Sequence, residues 1–190
     1  MVSHPPHPPY QSGITGPGTM IDLAATIAIF LVRELEGFQR ELELFPDDQS
    51  LWKTVPGVTN SAGNLALHVA GNVQYYVGAV LGNTHYVRDR EDEFSRRSGT
   101  RSEVIGEIQA AIRIVRKVLP SLHSDRFDGV FPEKVFGRDL PTDRFLLHLC
   151  THAAYHLAQA GYLRRIVTGL NQTSGAIPLA PLEAAMRRPL

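Results

Sequence analysis

This sequence predicts an all-α protein, a four-helix bundle, on three observations. Four segments space their apolar residues at helical intervals. The joints between them are built from Pro, Gly, Asp and Asn. No βαβ alternation, Gly-rich phosphate loop or fixed-period repeat interrupts that order. At 190 residues the chain suits one domain able to bury a sizeable core.

Residues 1–19, "MVSHPPHPPYQSGITGPGT", are rich in Pro and Gly and lack hydrophobic periodicity, which predicts a flexible, polyproline-like leader. His4 and His7 fall in it and read as solvated tail residues. The bundle domain is then 20–190, with Met20 a candidate natural start. A first helix is predicted from Ile21 to Phe45, with Leu23, Ile27, Phe30, Leu35, Phe38 and Leu42 on its apolar side; Pro46 and Asp47-Asp48 end it. "LWKTVPGVTNS" (51–61) is a turn-rich link, with Trp52 as a core or rim anchor and Asn60 or Ser61 as cap of the second helix. That helix carries Leu65, Val69, Val73, Tyr76 and Val80, and stops at "LGN" (81–83).

The charged stretch 84–99 is expected to be exposed. "TRSE" (100–103) has capping-box spacing and opens a third helix with Ile105, Ile108, Ile112, Val115 and Leu119, which Pro120 terminates. Residues 121–141 read as an irregular connection between helices 3 and 4, with a short extended piece at "GVFPEKVF" (129–136). The fourth helix is predicted from Thr142 to about Thr168, with Gly169 as its stop. The tail from Asn171 is expected to hold a loop and one short helical turn.

Lys and Arg total 19 and so do Asp and Glu, so no net charge draws the chain toward nucleic acid. The longest strongly apolar run, "LAATIAIFLV" (23–32), has 10 residues where a membrane span needs about 20, and no basic region precedes it. A lone cysteine, Cys150, excludes an internal disulfide. The expectation is a soluble, cytoplasmic protein without nucleic-acid or membrane partners.

Chemistry concentrates in "HLCTHAAYH" (148–156). Steps of four return to nearly the same helix face, about 40° apart, so three imidazoles project from one stripe. His152 with His156, or His148 with His152, can chelate one ion. His148 and His156 are about 12 Å apart along the axis, too far for all three to share it. A third ligand has to come from another helix, and His68 in "NLALHVAGN" is the one interior candidate. Asn64 and Asn72 flank it on the same face, and such buried polar atoms need partners. Cys150 should face away as an inert thiol. "HAAYH" lacks the Glu of H-E-x-x-H, so no general base lies between its histidines.

Three stretches resemble the DinB/YfiT-like family of bacterial metal-binding four-helix bundles: "VPGVTNSAGNLALHVAGNVQYYV" (55–77), "RDREDEF" (88–94) and "LLHLCTHAAYHLAQAGYLRRI" (146–166). The likeness spans roughly residues 21–169. It implies His68, His152 and His156 as metal ligands, with His148 an additional histidine one turn earlier. The usual "HRGQ" ending stands here as "HLAQ" (156–159), so Gln159 is retained while the role of the basic residue does not carry over. The resemblance further implies a divalent ion such as nickel or zinc, a homodimer and, in some relatives, thiol-dependent transferase or isomerase activity with a low-molecular-weight thiol.

Three imidazoles leave a divalent ion its full charge and an open position, suited to hydrolysis or to thiol transfer. Asn64, Asn72, Tyr155 and Gln159, and also His148, are candidates to support the ligands from behind. In "RDREDEF", Arg88 and Arg90 could meet an anionic substrate with Phe94 walling the pocket, but a structural loop salt-bridged by Arg88, Asp89, Arg90 and Glu93 and packed through Phe94 is favoured. The expected function is a metal-dependent enzyme of thiol-transferase or hydrolase type. The alternatives are a non-catalytic bundle with a structural ion, or histidines packed in the core without metal.

Overall fold

The computed structural model describes residues 22–175 and 178–184; the expected leader lies outside the described residues. Four long helices form the body. α1 (Leu23–Glu43) begins at Asp22, whose side chain accepts from the Ala25 N–H. A short α2 (Asp48–Leu51) follows, and then α3 (Ala62–Val73), capped by Ser61 in a reciprocal box with Asn64. α4 (Arg90–Ser95) lies inside the charged connection. α5 (Arg101–Val118) starts with the capping box of Thr100 and Glu103 and runs into a 3-10 turn at Leu119–Ser121. α6 (Ser124–Asp128), the long α7 (Thr142–Thr168) and α8 (Ala180–Ala184) complete the order. Gly169 stops α7 in the left-handed conformation, φ 70°, which glycine adopts without steric cost.

Side-chain pairs give the helix directions. Gln39 meets Gln109 and Glu36 meets Arg116, so α1 and α5 are antiparallel. Ile27 lies beside Cys150 and Glu41 beside Arg164, so α1 and α7 are parallel. Gln74 bonds Glu107 and Gly82 sits against Val118, so the second long helix parallels α5. It opposes α7, since His68 meets His152 while Tyr76 meets Phe145. The bundle is therefore up-down-down-up, with α1 and α3 across one diagonal and α5 and α7 across the other. Leu31, Leu35, Phe38, Leu42, Ile108, Val115 and Leu146 fill its core.

Three expectations need correction. The second long helix does not stay α-helical to Leu81: after Val73 it widens into a π-helix, Gln74–Leu81. From that stretch the Tyr75 hydroxyl donates to Glu133 (2.9 Å), and the Tyr76 ring packs edge-on against Phe145. The segment 84–99 is not simply exposed. It contains α4, started by Asp89 accepting from the Asp92 N–H, and its Glu93 is buried because its charge is compensated within the fold. The connection 121–141 contains α6 and two isolated bridges, Val130 with Pro141 and Val135 with Arg138, in place of an extended strand. Trp52 is a core anchor whose Nε1–H donates to the Gly99 carbonyl, and its ring lies so close to Gly63 that a Cβ there would come within 2.9 Å. Among the described residues no helix is long and apolar enough to cross a membrane.

α1 and α7 are joined in their interior by an ion pair, Arg164 Nε donating to Glu41 Oε1 at 2.6 Å, with both side chains buried. Arg164 also donates to the Gln172 carbonyl, tying down the chain after α7. Removing one partner strands a buried charge. Glu41→Leu should cost about 3–5 kcal/mol in denaturant unfolding, while Glu41→Leu with Arg164→Met should recover most of that loss. Equal costs for the single and double variants would contradict this account.

Candidate metal centre

The antiparallel crossing of α3 and α7 brings together three imidazoles from distant parts of the sequence. His68 projects from the middle of α3, and His152 and His156 from successive turns of α7. His152 Nε2 lies 3.2 Å from His68 Nε2 and 3.1 Å from His156 Nε2. One ligand atom of each ring falls within 4.8 Å of the others, a group able to hold a metal ion.

The outer nitrogens of two rings are committed. His156 Nδ1 lies 2.8 Å from Gln159 Oε1, and His68 Nδ1 lies 2.9 Å from Glu93 Oε2. Both oxygens are acceptors, so each Nδ1 carries its proton and each Nε2 presents a lone pair. Both lone pairs converge on His152 Nε2, which has at most one proton to give. Hydrogen bonding among the three rings thus cannot satisfy all three nitrogens. A cation can: at a metal–nitrogen length of about 2.1 Å, neighbouring ligand nitrogens sit about 3.0–3.4 Å apart in octahedral to tetrahedral geometry, which the two short separations match. The residues present fit a divalent ion.

Electrostatics act the same way. Burial, and then the nearby His156, His68, His148 and Arg88 charges, push His152 down to about 3. Burial also lowers His156, against the opposing bond from Gln159. Neutral imidazole, the ligand form, is therefore held at neutral pH. Burial alone would raise Glu93, but Arg88 and then His68 outweigh it and hold the carboxyl below its usual range. Arg88 grips Glu93 with Nε on Oε1 (2.6 Å) and Nη2 on Oε2 (2.7 Å). Phe94 lays its ring 4.7 Å from the His68 ring, and the Arg90 guanidinium stands over Phe94.

The other residues singled out from sequence fall at different distances. Gln159 bonds a proposed ligand directly. Asn64 caps α3 and donates to the Glu93 and Arg96 carbonyls, so it holds α4 rather than an imidazole. Asn72 meets Arg88 at 3.4 Å. Both asparagines thus have protein partners on the α4 side of the site. His148 is exposed, its ring 5.8 Å from His152 and stacked on Phe145. Tyr155 is exposed as well and sets its ring edge-on to His156. Cys150 faces α1, its Sγ toward the Ile27 carbonyl, and burial pushes its thiol up to about 12, so it stays protonated at neutral pH.

The salt-bridged loop favoured for "RDREDEF" is present, in the Arg88–Glu93 pair and in Phe94 packed on His68; what the sequence reading missed is that Glu93 also bonds His68, 25 positions away. One signal was available: Asp89 stands three residues before Asp92, the spacing of a helix cap, and a helix there would turn one of its residues inward.

An all-helical bundle with three converging histidines between its second and fourth long helices defines a class of proteins equipped to hold one metal ion. The family is shown by the sequence itself: the model of the DinB superfamily matches residues 31–160, more than half of the chain and all three histidines, and the chain belongs to that superfamily. No curated protein matches it.

The depressed imidazoles set a pH dependence. His152 has a folded value of about 3 against 6.5 when unfolded, so between those limits the unfolded chain binds more protons and stability is lost as the pH is lowered. Chelator-treated protein should lose about 1–2 kcal/mol between pH 7 and pH 5 in denaturant titrations. His152→Gln should flatten that slope; an unchanged slope would show that other groups carry it.

Proposed function

We propose that this protein binds one divalent metal ion through Nε2 of His68, His152 and His156 and uses it as an enzyme of thiol-transferase or hydrolase type. The observation that supports this reading most is the convergence of two lone pairs on a third nitrogen, an arrangement that protons shared among the three rings cannot satisfy. Imidazole donors suit nickel and zinc alike. When bound, such an ion supplies a Lewis acid for a water or for a low-molecular-weight thiol, the co-substrate that family likeness implies.

The chain's own residues do the rest. Gln159 and Glu93 orient the His156 and His68 rings, and Phe94 shields one face of His68 from water. Glu93 is neutralised by Arg88, so it neither subtracts from the charge of the ion nor stands free as a base. His152 and His156 are only half-buried, so the site keeps an opening for substrate.

A second reading rests on the placement of the same three residues on two helices: an ion there would cross-link α3 to α7 and could serve stability alone. Elemental analysis of untagged protein, prepared without a metal-affinity column, tests both. About one nickel or zinc per chain is expected, lost in His68→Ala; no metal in either sample after incubation with both ions would end the proposal. Chelation that abolishes thiol-transfer or hydrolytic turnover while the bundle stays folded favours the enzyme. Unfolding on chelation, with no turnover by the loaded protein, favours the structural ion.

We also propose a homodimer formed through α7 rather than α1. Leu147, Tyr155, Tyr162 and Ile166 form an exposed apolar stripe on α7. Laid antiparallel on its copy, the stripe sets Leu147 against Ile166 and Tyr155 against the small Ala158. Light scattering should give a dimer for the natural chain and a monomer for Tyr162→Glu with Ile166→Glu; a monomeric natural chain refutes it.

A further inference from the structure

We infer that Gly71 and Arg88, acting through Glu93, are positioning residues that lock the His68 tautomer and aim its Nε2 at the centre of the three histidines. The inference deepens the metal-site reading but rests on contacts that exist without an ion.

A free imidazole distributes its proton between two nitrogens, so a ligand ring needs a partner that selects one. For His68 the partner is a carboxylate on a different element, and three features hold that carboxylate in place. Arg88 grips it through two parallel bonds, a fork geometry that leaves it little rotational freedom. Asn64 donates to the Glu93 and Arg96 carbonyls and so pins α4 to the first turn of α3. Gly71 supplies the space: one helical turn beyond His68, it faces Glu93 so closely that a Cβ would overlap Oε1 and lie 3.0 Å from Cδ. Gly71 sits in an α-helix, and no left-handed conformation requires a glycine there. Its lack of a side chain is explained by the carboxylate it admits.

The parts are interdependent. The Glu93 Oε2 atom accepts from both His68 Nδ1 and Arg88 Nη2, which is why those two nitrogens approach within 3.2 Å although both are donors. Without Arg88 the carboxylate would be a buried, uncompensated charge. Without Glu93 the guanidinium would face His68 and repel a cation. The pair delivers an acceptor to Nδ1 while adding no net charge beside the site.

Nitrogen-15 correlation spectra of the imidazoles in full-length, metal-free protein test this, together with nickel and zinc affinities by competition with a chromophoric chelator. In the natural chain His68 should show the Nδ1–H form. Arg88→Met with Glu93→Leu removes charge and acceptor together; His68 should lose that preference, and affinity should fall about 10–100-fold. Arg88→Met with Glu93→Gln keeps an oxygen acceptor without charge and should preserve both. Gly71→Ala should weaken metal binding even though helix propensity alone would make the protein more stable. An unaltered His68 tautomer in the Leu-bearing variant overturns the inference whatever the metal result. A natural chain with the Nδ1–H form but no affinity for either ion would refute the metal reading and leave the positioning role standing.

Discussion

Glu93 is a carboxylate removed from water, and the way its charge is compensated organises the region around the three histidines. Arg88 neutralises it, His68 donates to it, Asn64 holds its backbone and Gly71 leaves it room. A buried carboxylate without such partners would cost several kcal/mol or take up a proton. Once compensated, it becomes a rigid acceptor that decides which nitrogen of His68 faces inward. The short charged helix between the second and third long helices thus belongs to the site.

The bundle topology supplies the other half. An H-x-x-x-H pair on α7 offers two nitrogens on one face, and only an antiparallel neighbour in the right register can bring a third to the same point. α3 and its π-helical continuation do so because Tyr76 packs on Phe145 at one level and His68 reaches His152 at another. The Glu41–Arg164 pair, on the neighbouring face of α7, joins the parallel α1 to the same helix. α7 is therefore held toward α1 by an ion pair in the core and toward α3 by the histidine crossing.

Much of this is legible in the sequence. Ser61, Thr100 with Glu103, and Gly169 mark helix ends through local chemistry, and local chemistry is what a sequence displays. The apolar periods of the four long helices follow from burial of one face each, a one-dimensional pattern. Local spacing also indicates that Cys150 points away from the histidine stripe. α4 was hidden because six residues are too few for a period to emerge, and because a buried charged residue carries no apolar signature. The π-helical stretch was hidden too, since Gln74–Leu81 has the composition of ordinary helix and its register is decided by packing.

The sequence by itself determined the all-α class, the positions of the long helices and the three histidines that family likeness selects, because caps, periods and i,i+4 spacings are short-range properties. The tertiary structure decided which residue completes the site. Whether Glu93 is a solvated loop charge or the partner of His68 depends on Arg88, Asn64 and Gly71 arriving around it from three places in the chain. Convergence of that kind is a property of the fold, and no window along the sequence contains it.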